Sequence, residues 1–200
     1  DDELAQMKAV VKEAMEQGAM GLCASRSSNH RSAGAAAGAG TGGKSTVGMT
    51  GDLAPGYFAT DGELIDMAKT ISEVRPGKGV FQCISQMTSM ARPEGFEDPA
   101  LLLRTDGTHR GMDWMREIAK LGLTVTPTGE FQSSGDHTDA EIEAMIATCY
   151  RAADEGPGRI LPQIGPRSIS VNWGIELPLN PFSRHPTFQQ LQAEGLSPRA

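Results

Sequence analysis

Residues 3 to 17 place Leu4, Met7, Val11 and Met15 at helical spacing with charged side chains between them, and Gly18 follows as a stop. The spacing predicts an amphipathic helix whose methionine and leucine stripe joins a core. Ala19 to Ser25 is a short apolar run bounded by glycine and a serine-rich stretch, and it reads as a buried strand. Thr60-Asp61-Gly62-Glu63 has the form of a capping box, in which the Thr hydroxyl and the Glu carboxylate each accept from the other residue's backbone N–H. It predicts a helix over 61–74 with Leu64, Ile65, Ala68 and Ile71 on one side.

The same alternation continues. Gly77 to Ser85 is a second strand candidate, followed by a helix over about 108–121 carrying Met112, Met115 and Ile118. Leu123 to Thr126 is short and β-branched, and Thr138 to Glu141 forms a second capping box ahead of Ile142, Met145, Ile146, Cys149 and Ala153. Arg159 to Ile164 is the last strand candidate, weakened by Pro162, which cannot donate to a ladder.

Short apolar strands separated by amphipathic helices are the rhythm of an α/β fold with a parallel sheet. Alternation alone does not separate an open doubly wound sheet from a barrel. A complete (β/α)8 TIM barrel takes about 250 residues and eight units, so about four βα units make a partial barrel with two open edges. The expected organisation is a single partial barrel domain over 1–200, with a Gly/Ala-rich loop insertion at 32–56. In either architecture the loops leaving the C-terminal ends of the strands form the working face. That selects Arg26 and His30, the stretch from Gln82 to Gln86, Glu130 and Gln132, and Gln163 and Arg167.

The insertion holds a string, Gly38-Ala39-Gly40-Thr41-Gly42-Gly43-Lys44-Ser45, that matches the phosphate-binding pattern G-x-x-x-x-G-K-[ST]. A P-loop needs a buried strand before it and a helix after it. Here the polar run from Arg26 to Ser32 precedes the glycines, and Gly48, Gly51, Pro55 and Gly56 stand where the helix must run. Each interior glycine costs a helix about 1 kcal/mol relative to Ala and a proline about 3 kcal/mol. Nucleotide binding through Gly38 to Ser45 is therefore the alternative reading, and a flexible Ala/Gly insertion the preferred one.

Composition narrows the partners. The chain of 200 residues with 38% hydrophobic content can bury one core. Its net charge of −7 and pI near 5.1 argue against a nucleic-acid surface, which wants clustered Lys and Arg. Apolar runs fall far short of a membrane span, no signal-peptide pattern opens the chain, and the expected compartment is the cytoplasm. Cys23, Cys83 and Cys149 are odd in number and widely spaced, which suits buried free thiols better than a disulfide framework or a metal clip. The chain opens at Asp1 without an initiator Met, as a piece of a longer protein would.

Several stretches taken together resemble the N-acyl-D-amino-acid deacylase branch of the amidohydrolase superfamily. They are Gly18-Ala19-Met20-Gly21-Leu22-Cys23-Ala24-Ser25-Arg26 with His30, Ala54-Pro55-Gly56 through Thr60 to Leu64, Gly79 to Gln82, Pro162 to Arg167, Asn180-Pro181-Phe182, and Pro186-Thr187-Phe188. The resemblance covers nearly the whole chain in order, and the P-loop lookalike falls within a lengthened loop beside the active site. It implies a metal-dependent TIM-barrel hydrolase, with a divalent metal, zinc by expectation, activating water to cleave the amide C–N bond of N-acyl amino acids or related linear amides.

The family's first-strand H-x-H would precede Asp1, and its catalytic Asp would follow Ala200. The internal strands read Val80-Phe81-Gln82-Cys83-Ile84 and Thr124-Val125-Thr126-Pro127, without the His that the family often carries there. On this reading the chain supplies pocket walls around a small-molecule substrate, binds no metal by itself, and is inactive as an isolated segment, with no catalytic residue assigned. A barrel relative that has lost its ligands and serves as a binding protein is the non-enzyme alternative.

The expected substrate contacts are Arg26, His30, Gln82, Gln163 and Arg167, the two arginines as bidentate partners of a substrate carboxylate. His109, His137 and His185 are expected at the surface or in capping positions, and Cys83 as a packed thiol. Titration with ATP and magnesium should give no saturable binding to the wild-type chain or to Lys44→Ala; affinity that collapses in the variant would establish a true P-loop.

Overall fold

The computed structural model describes residues 2–26, 56–84, 99–128, 138–164, 182 and 185–194. The chain divides into two compact units, residues 1–30 with 54–164, and residues 31–53 with 165–200. The first unit carries, in order, α1 (Asp2–Glu16), β1 (Gly21–Ser25), α2 (Asp61–Val74), β2 (Val80–Ile84), α3 (Asp113–Lys120), β3 (Thr124–Pro127), α4 (Asp139–Glu155) and β4 (Arg159–Ile160). Two short 3-10 turns, Pro99–Leu102 and Arg110–Met112, precede α3. The second unit contributes α5 (Pro186–Ala193) among the described residues.

All four strands pair in parallel in the order β1-β2-β3-β4. The ladder aligns Leu22 with Phe81, Phe81 with Val125, and Val125 with Ile160. Phe81, Val125 and Ile160 are buried, whereas their neighbours Gln82 and Thr126 on the opposite face are only partly covered. The helices also touch in chain order, α1 on α2, α2 on α3 and α3 on α4. One face of the sheet is therefore roofed by helices, and a connection that returns to the same face each time is what a right-handed crossover between neighbouring parallel strands produces.

Local sequence explains the helix starts. Both predicted capping boxes form: Thr60 Oγ1 accepts from the Glu63 N–H at 3.2 Å while the Thr60 N–H donates to Glu63 at 2.7 Å, and Thr138 and Glu141 repeat the exchange at 3.2 and 2.8 Å. α1 ends where predicted, at Gly18, whose φ of 111° few other residues adopt. Leu64, Ala68 and Ile71 of α2, Met115 and Ile118 of α3, and Met145 of α4 meet Phe81 and Val125 in one apolar cluster. Phe81 packs edge-on against Trp114 with ring centroids 6.1 Å apart, a geometry favoured by the ring quadrupoles.

Several expectations need correction. Met7 is 46% exposed: of the predicted stripe of α1 only Met15 is buried, with Leu4 and Val11 partly covered. Ile146 is likewise 44% exposed on the outer flank of α4. β1 is not wholly buried: Cys23, on the face without helices, is exposed instead of being a buried thiol. His109, expected at the surface, is completely buried, and its backbone N–H donates to Thr148 Oγ1 at 2.7 Å, which joins the turn before α3 to α4. The helix expected over 108–121 is a 3-10 turn followed by a shorter α3, and β4 is regular only over Arg159–Ile160, ending just before Pro162.

The end of α3 and the start of β4 approach so closely that Gly158 leaves no room for a side chain: a Cβ there would lie 2.2 Å from the Ala119 carbonyl oxygen and 2.3 Å from that of Leu123. Urea unfolding should show Gly158→Ala destabilised by about 1–3 kcal/mol from overpacking and Thr138→Ala by about 1 kcal/mol from loss of the cap. Wild-type stability in Gly158→Ala would contradict this contact.

Candidate functional site

Side chains alternate across a strand, so the ladder that sends Phe81 and Val125 to the helices sends Gln82 and Thr126 to the other face. Gln82 lies beside Cys23 on one side and Thr126 on the other. One step toward the C-terminal ends, Thr128 continues the β3 alternation and forms a parallel bridge with Gln163 beyond β4. The structure thus brings two predicted residues, Gln82 and Gln163, to the same face and the same end of the sheet.

They meet around a residue that sequence reasoning missed. The Thr128 hydroxyl donates to Gln163 Oε1 at 2.6 Å, and Gln82 Nε2 lies 3.4 Å from Thr128 Oγ1 and 3.5 Å from Gln163 Oε1. The first is a short, well-formed bond, and the other two sit beyond the usual range of about 2.7–3.2 Å for N–H···O. The Thr124-x-Thr126-x-Thr128 alternation was the available signal, since it extends the polar face of β3 past the strand proper. Thr126 Oγ1 is buried and has no hydrogen-bond partner among the described residues.

Arg26 is employed elsewhere. It follows β1 with its N–H on the Ile84 carbonyl at 2.8 Å. Its guanidinium donates from Nε to the Ala59 carbonyl at 3.0 Å and from Nη1 to Asp61 Oδ1 at 2.7 Å, with Nη2 also on Ala59. It stacks 5.4 Å over the Trp114 ring, and its side chain is only 12% exposed. Those partners flank the Thr60 cap, so Arg26 anchors the start of α2 with each of its three nitrogens on a protein oxygen. His30 and Arg167 lie outside the described residues, as do Gln86, Glu130, Gln132, His137 and the Gly38 to Ser45 string. His185 precedes α5, and its Nδ1 accepts from the Thr187 N–H at 3.3 Å, a capping arrangement.

Ionised groups with shifted pKa values lie away from the open face. The Thr60 backbone N–H holds the Glu63 carboxyl below its ordinary range, the Arg116 guanidinium does the same for Glu155, and the Thr108 hydroxyl for Asp106. These are caps, turns and inter-helix ties, the structural use of perturbed carboxylates. Among the described residues no group of three His, Cys, Asp or Glu is assembled that could hold a metal ion. The open face offers amide and hydroxyl groups with one exposed thiol, a donor set that does not fit a zinc centre. No helix among the described residues is long and apolar enough to cross a membrane.

Both flanks of the unit are apolar. A groove of about 560 Å³ runs along α4 and β4, lined by residues that include Ile142, Ile146, Cys149, Tyr150, Leu161 and Ile164. At the opposite flank Met7, Val10 and Met20 are exposed. Comparison with models of known protein families, with curated proteins and with solved structures finds no match.

Burial pushes the Cys149 thiol up to about 11 from an ordinary 9.0. The thiolate is the reacting form, and a raised pKa keeps it scarce until the pH climbs through that range. Mass-spectrometric mapping after iodoacetamide treatment should find exposed Cys23 labelled first, Cys149 only as the pH approaches about 11, and Cys83 protected while the chain is folded. Labelling of Cys149 at neutral pH as fast as Cys23 would show that the α4 flank is more solvated than described.

Proposed function

We propose that the chain is the central part of a (β/α)8 barrel of the amidohydrolase kind, and that its open sheet face forms one wall of a pocket for N-acyl amino acids or related linear amides. The observation that carries this reading is the polar layer of Gln82, Thr128 and Gln163 at the C-terminal ends of parallel strands, on the face opposite the helices. In a barrel that face is the interior, and that end is where substrates bind. A doubly wound sheet would reverse its strand order and carry helices on both faces, whereas strands in sequential order with helices along one side favour barrel curvature.

The apolar flanks support the same reading. Exposed Met7, Val10 and Met20 at the β1 side, and Ile146, Tyr150, Leu161 and Ile164 at the β4 side, are what neighbouring βα units would cover. Large exposed apolar patches on soluble proteins commonly mark such interfaces. The sequence resemblance supplies the reaction: hydrolysis of an amide C–N bond by water activated on a divalent metal. The described residues hold no fitting ligand set, so their part is to bind and orient the acyl amide, with Arg26 fixing the loop that returns into α2.

The protein that carries this segment should release free amino acid from N-acetyl-D-amino acids and lose that activity to a chelator. Binding without turnover would identify a barrel relative that keeps the pocket and has lost the chemistry. Absence of both metal and amide binding would remove the proposal.

A further inference from the structure

We infer that the polar layer recognises a neutral secondary amide, with Gln163 Nε2 donating to the carbonyl oxygen and Gln82 Oε1 accepting from the N–H; the ligand's class rests on the hydrolase reading above. The Thr128 hydroxyl donates to Gln163 Oε1 at 2.6 Å, which leaves Nε2 as the end of that amide free to donate elsewhere. Gln163 Nε2 then has two N–H donors and no hydrogen bond among the described residues. Gln82 contacts the layer only through Nε2, at 3.4 and 3.5 Å, and its Oε1 accepts nothing among the described residues. The N–H donors of one glutamine and the carbonyl acceptor of its neighbour in the layer are the complement of one secondary amide, which offers one acceptor and one donor.

The layer is also unfinished by its own groups. Thr126, the ladder partner of Gln82 on this face, keeps a buried hydroxyl without a partner among the described residues, and such an atom is normally satisfied by protein, water or ligand. The long bonds to the Gln82 amide offer little resistance to its turning when a polar ligand enters. Among the described residues the layer holds no cation to prefer a carboxylate: the guanidinium of Arg26 donates to Ala59 and Asp61. Selection therefore falls on the amide itself, and replacing its N–H by an ester oxygen removes the group that Gln82 reads and sets a lone pair against Oε1.

The test is titration of the chain with N-acetyl-D-alanine methyl ester and with methyl O-acetyl-D-lactate, in which oxygen replaces the amide N–H. Both are followed through the Gln82 and Gln163 side-chain amide signals in 1H–15N spectra. The amide probe should bind about 2–10-fold more tightly, the equivalent of one hydrogen bond of about 0.5–1.5 kcal/mol. Gln82→Leu should abolish the preference, and Gln82→Glu, which retains an acceptor, should keep it. Gln163→Leu should weaken both probes by a similar factor and leave the preference in place.

Equal affinity of the two probes for the wild-type chain, a preference indifferent to Gln82→Leu, or no shift with either probe at roughly 10 mM, tenfold above a 1 mM site, would overturn the inference. Turnover bears on the hydrolase reading alone. An amide preference carried by Gln82 in a protein that cleaves no N-acyl amino acid upholds the inference and removes that reading, and turnover with a preference indifferent to Gln82 does the reverse.

Discussion

The apolar row of Leu22, Phe81, Val125 and Ile160, aligned across the four strands beneath the helices, constrains every other side chain of the sheet. A slip of one residue in any strand would exchange its two faces and drive Gln82 or Thr126 under the helices. Fully burying an aromatic or branched aliphatic side chain contributes about 1.5–3 kcal/mol, so such a slip is opposed by more energy than the open face could return. Thr128 and Gln163 can therefore bridge at the strand ends because the apolar pair of Val125 and Ile160, three residues earlier on each strand, holds the register.

Charge lies in a different place from the amide and hydroxyl layer. Arg116 ties α3 to α4 through Glu155, and Arg26 ties the end of β1 to the cap of α2 through Ala59 and Asp61. The layer at the strand ends carries amides and hydroxyls, while on the same face the charged Arg159 stands at the other end of β4, level with Thr124. That separation has a physical logic, since a fixed ion pair at a cap preserves its geometry, while a neutral amide layer can exchange partners with a ligand at small cost. Arg26, which by sequence looked like a carboxylate partner, donates to Ala59 and Asp61 at the start of α2.

Much of this architecture was legible because its causes are local. The two Thr-x-x-Glu boxes determined where α2 and α4 begin, Gly18 where α1 ends, and the apolar periodicity which faces of α2, α3 and α4 reach the core. Gln82 and Gln163 were legible as candidates from a topological rule, that working residues follow the C-terminal ends of parallel strands. The errors share another cause. Met7 and Ile146 have the spacing of core residues and lie on outer flanks, Cys23 has the chemistry of a buried residue and sits on the uncovered face, and His109 looks like a surface group and is sealed between the pre-α3 turn and α4.

Hydrophobic pattern and capping chemistry act within a few residues, so the sequence by itself determined which segments become helices and strands and how they alternate. The partner of a side chain many residues away depends on strand order and register, which no local pattern contains. Only the tertiary structure decided that all four strands run in sequence with helices along one face, that Arg26 is spent on Ala59 and Asp61, and that Thr128 draws Gln82 and Gln163 into one polar layer.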